Sequence, residues 1–125
     1  MILDTNAVSA FLADDPDLLT VLLPETDLHL PVIVLGEYRY GLLRSRLRAQ
    51  GEASLAELER LCVVLGLDAR TSAVYAQIRH ELHAAGHPLP ENDIWIAALA
   101  RQHNLPVATR DAHFEHVKGL RRVSW

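Results

Sequence analysis

The sequence holds a single cysteine, Cys62, so no disulfide can form within the chain. Lysine is nearly absent as well, Lys118 standing against eleven arginines. Long apolar runs are missing, because Asp, Glu, Arg or His interrupts each one far short of membrane-spanning length. The opening residues, Met1-Ile2-Leu3-Asp4, lack both the basic start and the apolar centre of a secretion signal. No internal repeat and no low-complexity linker breaks the chain. A soluble cytoplasmic protein with no membrane partner is the expectation.

What is present is apolar mass and acid. Half of the 125 residues are hydrophobic, enough for one core and too few residues for a second domain, so a single domain over residues 1–125 is expected. The formal net charge of −4 speaks against a nucleic-acid partner, since phosphate binding is driven by positive charge. That objection weakens if Asp4, Glu37, Asp93 and Asp111 share one cation site. Their four charges equal the whole net charge, and a bound divalent ion would offset them locally.

Strand and helix signals alternate, which favours βαβ units around a parallel sheet. Met1 to Asp4 reads as the first strand, followed by short helices over Asn6 to Ala13, capped by Thr5 or Asn6, and Pro16 to Leu23. Leu28 to Leu30 reads as a second strand. Val32 to Gln50 reads as one helix halted by Gly51, with another over Ala53 to Leu61 and a strand near Cys62 to Leu65. Ala69 to Ala85 places Val74, Ile78, Leu82 and Ala85 on one face and ends at Gly86. Asp93 to His103 is apolar all round, the mark of an enclosed helix. Pro106 to Thr109 makes a late strand, Ala112 to Val117 a helical turn, and Arg122 to Ser124 an edge strand.

Four acids stand at junctions of these elements. Asp4 ends the first strand, where a carboxylate either caps the following helix or faces a binding crevice. Asp93 lies in the first turn of the enclosed helix, where the helix dipole alone favours an acid. An enclosed helix, however, starts at an interior cleft. Asp111 follows the late strand, as Asp4 follows the first, with an ion pair to Arg110 as the plainer reading. Glu37 falls beside the apolar face of Val34, Leu35, Tyr38 and Leu42 at about 100° per residue, either solvated or reaching across a cleft. Carboxylates drawn from separate elements can surround Mg²⁺ or Mn²⁺ while leaving room for water and a phosphate. Without a cation they would repel and raise one another's pKa.

The blocks Met1-Ile2-Leu3-Asp4-Thr5-Asn6, Glu37 with Tyr40-Gly41-Leu42, Asn92-Asp93-Ile94-Trp95-Ile96-Ala97-Ala98 and Ala108-Thr109-Arg110-Asp111-Ala112-His113-Phe114 resemble, in order and spacing, the signature of the PIN domain in the form found in VapC-like toxins. The resemblance implies a three-layer α/β/α fold with a central, mainly parallel sheet. It implies an Mg²⁺- or Mn²⁺-dependent endoribonuclease, the toxin of a toxin–antitoxin pair that arrests growth and translation. Asp4, Asp93 and Asp111 would be the principal carboxylate ligands, with Glu37 holding a water or accepting its proton, and Asn6 and Thr109 as supporting polar groups. A small antitoxin in the cleft and a homodimer are implied too. Asn92 reads as a helix cap or as a group behind the ligands.

Other signals point elsewhere. His80, His83 and His87 have the spacing of a zinc site, but they fall at roughly 180 to 240° from Val74, facing solvent. His113 and His116 read as exposed or as rim residues. Arg39, Arg44, Arg46 and Arg48 form either a solvated face or a track for RNA phosphates or an acidic antitoxin segment, with no aromatic interleaving to support base stacking. Trp95 reads as core. Two rival functions are a non-cleaving RNA-binding or interaction module and a receiver-like phosphoacceptor, the latter disfavoured because Lys118 lies well past the Asp111 loop.

Overall fold

In a computed structural model, which describes residues 1–24 and 27–125, short apolar strands become the centre of the molecule. Strands β1 (Ile2–Leu3), β2 (His29–Pro31), β3 (Val63–Leu65), β4 (Val107–Ala108) and β5 (Arg122–Val123) form one sheet in the order β3-β2-β1-β4-β5. All four pairings are parallel. Ile2, Leu3, Leu30, Val107 and Ala108 have no exposed surface, which is why these strands read as unbroken apolar runs. Helices flank the sheet, giving the expected α/β architecture.

Strand order fixes where a ligand can enter. The chain runs outward from β1 through β2 to β3, then returns to the other side of β1 with β4, so the order reverses between β1 and β4. A crevice opens at such a point, beyond the carboxyl ends of the strands. Pairing of Ile2 with Val107 and of Leu3 with Ala108 brings the next residues, Asp4 and Thr109, side by side at its mouth.

Local chemistry sets most of the helix ends. Helix α1 (Thr5–Leu12) begins one residue earlier than expected because Asp4, and not Thr5 or Asn6, is its cap, accepting the Thr5 amide at 2.7 Å. Asp15 caps α2 (Pro16–Leu22), with Pro16 at the first helical position. Helix α5 (Ala69–Ala85) starts with a capping box between Asp68 and Thr71 and stops at Gly86, whose φ of 73° suits a residue without a Cβ. Its buried line is Thr71, Ile78 and Leu82; Val74 is half-buried and Ala85 exposed, so the apolar face is narrower than the sequence suggested.

One boundary differs outright. The single helix expected from Val32 to Gln50 is two helices, α3 (Val32–Leu43) and α4 (Arg48–Leu61), joined by a turn, and Gly51 lies inside α4. A Cβ on Gly51 would lie 2.3 Å from Leu42 Cδ2, so this glycine allows α3 and α4 to approach and does not end a helix. Helix α6 (Glu91–His103) is enclosed only along its middle, Ile94 and Ile96 to Ala100, while Glu91, Asn92 and His103 are exposed. Trp95, expected in the core, is half-buried and stacks on Tyr75 with centroids 3.9 Å apart.

Candidate active site

Asp4 is the cap of α1, one of its two readings from the sequence, with Oδ1 taking the Thr5 amide. Oδ2 accepts from Thr109 Oγ1 at 2.8 Å and from Asn6 Nδ2 at 2.9 Å. Burial lifts the Asp4 pKa above the usual carboxylate range, against the pull of these hydrogen bonds, and the charges of Glu37 and Asp111 push it the same way. Asn6 also spans the strand ends, donating to Thr109 Oγ1 at 3.1 Å and accepting the Arg110 amide at 3.1 Å.

Asp93 enters from the first turn of α6. Burial raises its pKa to about 6, and the neighbouring charges of Asp4, Asp111 and Glu37 add to that rise. The four acids singled out from the sequence therefore act on one another across one crevice. Glu37 arrives from α3, held from two sides by Thr5 Oγ1 at 2.5 Å and Asn92 Nδ2 at 2.8 Å. Asn92 is thus a clamp on Glu37 and not a helix cap, the cap position of α6 being Pro90.

Asp111 caps a short 3₁₀-helix, Ala112–His116. Burial raises its pKa, but the backbone and ring of His113 outweigh it and the net shift is downward. It accepts the His113 amide at 2.9 Å and lies 2.7 Å from His113 Nδ1. Its own amide donates to Thr109 Oγ1 at 3.0 Å. The ion pair with Arg110 does not form; Arg110 pairs with Asp15 at 3.0 Å instead.

Three contributors escaped the sequence reading. Thr5 looked like a cap but orients Glu37, and His113 was left at the rim although it fixes Asp111. Arg122 sits in the edge strand, pairs with Glu115 and donates to the Thr109 carbonyl at 3.3 Å. The threonine and histidine each adjoin a crevice acid within two residues, the one signal that could have marked them.

The remaining basic and histidine clusters lie on the surface. Arg39 pairs with Glu59 and Arg48 with Glu52, whereas Arg44 and Arg46 occupy the exposed turn between α3 and α4. His80, His83 and His87 are exposed. Among the described residues no three His, Cys, Asp or Glu side chains converge on a common point as a ready-made metal site.

A parallel sheet whose order reverses between β1 and β4, with four mutually repelling carboxylates of which Asp4, Glu37 and Asp111 are held by hydroxyl, amide or imidazole donors, defines an acid-centred α/β domain. Residues 1–120 match the profile of the PIN domain family. Ribonuclease VapC5 of Mycobacterium tuberculosis is 36% identical over 98 residues, covering 74% of this chain and 70% of that protein. Toxin FitB of Neisseria gonorrhoeae is 31% identical over 121 residues, covering 89% and 87%. The crystal structure of VapBC2 from Rickettsia felis bound to a promoter DNA fragment superposes with a TM-score of 0.88 at 25% identity, covering 99% of this chain and 97% of that one. The chain belongs to the PIN-domain family, as a VapC-like member.

Proposed function

We propose that the protein is an endoribonuclease that hydrolyses RNA phosphodiester bonds with the help of Mg²⁺ or Mn²⁺, as the toxin of a toxin–antitoxin pair. The observation that carries this reading is the crevice itself, in which burial, and then the charges of Asp4, Asp111 and Glu37, raise the pKa of Asp93. Acids whose charges act on one another are costly unless a cation balances them.

The donor set fits a hard divalent ion, since every candidate ligand is an oxygen. Asp4, Asp93 and Asp111 are the residues that would hold it. When bound, such an ion lowers the pKa of water and stabilises charge developing on a phosphate. Glu37, clamped by Thr5 and Asn92, would orient the attacking water or take its proton. Thr109 and Asn6 keep Asp4 aimed into the crevice.

A small antitoxin that fills the crevice, a homodimeric toxin and action in the cytoplasm complete the proposal, resting on the VapC-like membership. The exposed Tyr40, Leu43 and Leu47 beside Arg44 and Arg46 support a protein partner, because large apolar side chains rarely gather in water without a function. No helix among the described residues is long and apolar enough to cross a membrane.

The test is incubation of the purified protein with total RNA, with Mg²⁺ or with a chelator, beside an Asp4→Asn variant. Cleavage that needs the ion and disappears in the variant, with its circular dichroism unchanged, supports the reading. Equal cleavage by parent and variant overturns the site assignment, and no cleavage of any RNA favours the non-cleaving binding module.

A further inference from the structure

Three imidazoles lead away from the acid crevice in series. His113 is anchored to Asp111 through both its amide and its ring Nδ1. Because the carboxylate only accepts, Nδ1 carries the proton and Nε2 is left to meet another group. His116 lies one turn further along the 3₁₀-helix, its ring 6.3 Å from that of His113 and tilted by 50°. The His116 ring is stacked on His87, centroids 3.9 Å apart and planes within 2° of parallel.

His87 comes from a different part of the chain and is held there by backbone geometry. After Gly86 turns the end of α5 with positive φ, the His87 amide donates to the Leu82 carbonyl at 3.0 Å. All three histidines are exposed, so the stack belongs to the surface and not to the core. Glu115 and Lys118, charged and exposed, flank His116, a poor setting for the apolar face of a protein helix. The guanidinium groups of this region are occupied, Arg110 by Asp15 and Arg122 by Glu115. Flat rings, with Lys118 as the neighbouring cation, are therefore what this rim offers beside the acids.

We propose that His87, His116 and His113 form a single-stranded RNA subsite, in which a nucleobase next to the scissile phosphate stacks on the His87–His116 pair while His113 Nε2 meets its ribose or base edge. An unpaired base has the flat π-face that continues such a stack, and every base has one, so the subsite binds with little sequence preference. The proposal rests on the ribonuclease reading and adds to it where the substrate strand runs.

Binding of a fluorescent single-stranded RNA of mixed sequence, read by anisotropy in the Asp4→Asn background, separates binding from cleavage. The His87→Ala/His116→Ala pair should raise Kd about tenfold. His116→Phe keeps a flat ring and should bind close to the parent, and His80→Ala, on the exposed side of α5, should not differ from it. In the cleaving background the alanine pair should raise KM and leave kcat in place. Undiminished RNA binding by the alanine pair, or His116→Phe behaving like His116→Ala, overturns the subsite while cleavage by the parent stands. If the parent neither binds nor cleaves RNA, the ribonuclease reading and the subsite fail together. Should the double variant misfold, His87→Ala alone and the His116→Phe and His116→Ala comparison decide the question.

Discussion

Thr109 Oγ1 and Asp4 Oδ2 form a buried hydrogen bond of 2.8 Å between residues 105 positions apart in the chain. The same hydroxyl accepts from Asn6 Nδ2 and from the Asp111 amide. A hydroxyl has one proton and two lone pairs, so Thr109 is saturated and its proton can point only at Asp4. One side chain thereby sets the orientation of the Asp4 carboxylate, the Asn6 amide and the Asp111 loop together.

Thr109→Val keeps the shape of this side chain and removes all three bonds. It leaves a buried carboxylate oxygen with one donor fewer and strands the Asp111 amide, so a loss of about 1–3 kcal/mol in stability is expected. RNA cleavage should fall further than the fraction of folded protein. Thr109→Ser, which retains the hydroxyl, should recover most of both. Urea denaturation beside initial cleavage rates checks this, and a Val variant with parental activity would remove Thr109 from the site.

Asp93 gives a pH signature of definite sign. Its pKa is raised to about 6 in the fold from 3.8, so the folded protein holds this proton more tightly than the unfolded chain. The stability due to protonated Asp93 is complete below pH 3.8 and is lost as pH rises to about 6. Asp93→Asn cannot ionise and escapes that loss. Without metal and above pH 6, it should be more stable than the parent by about 1–2 kcal/mol after allowing for solvent screening, while its cleavage is abolished. Added Mg²⁺ should raise the melting temperature of the parent and not of the variant. Calorimetry from pH 4 to 8 reads both effects, and a variant less stable than the parent at pH 7 contradicts the argument from burial and repulsion.

The opposite sign is expected at Glu81. Arg101 meets both of its oxygens, at 3.3 and 2.9 Å, tying α5 to α6, and also donates to the Lys118 carbonyl at 2.8 Å. The Arg101 hydrogen bonds hold the Glu81 pKa below 4.5, so the pair stabilises the fold above pH 4.5 and that stability disappears as pH falls through the lowered pKa. Glu81→Gln should cost about 1 kcal/mol at pH 7. The difference from the parent should close under acid, below pH 4.5, in denaturation curves taken across that range.

How much of this was legible in the sequence depended on distance along the chain. Alternating apolar runs revealed the parallel sheet, and the Asp68 and Gly86 ends of α5 follow from local rules. Asp4, Asp93 and Asp111 stood out because each sits where an element starts or stops, whereas Glu37, inside α3, was marked only by its place beside an apolar face. Legibility failed where a contact joins distant residues: nothing local says that Asn92 clamps Glu37, that Arg110 prefers Asp15 to Asp111, or that His87 stacks on His116. Trp95 was misjudged for a related reason, since an apolar run cannot say which neighbour covers it, and Tyr75 covers it only in part.

Gly51 shows the same limit and allows a direct test. By sequence it is a helix stop, but it lies within α4, where the missing Cβ makes room for Leu42 of α3. Adding a small side chain has two opposed effects: glycine costs a helix interior roughly 1 kcal/mol relative to alanine, whereas overpacking costs about 1–3 kcal/mol. Alanine at this site places its Cβ against the movable end of Leu42, so the two effects largely cancel. Gly51→Val adds two methyl groups where one already collides, and β-branching removes part of the helix gain. Gly51→Val should therefore destabilise by about 1–3 kcal/mol. The discriminating experiment is the double-mutant cycle with Leu42→Ala, which alone opens a cavity and should cost about 2–5 kcal/mol. If the two side chains compete for one space, the double variant will be more stable than the sum of the single losses by at least about 0.5 kcal/mol. Additive losses would mean that Gly51 is required for its backbone alone, and that the approach of α3 to α4 is set elsewhere.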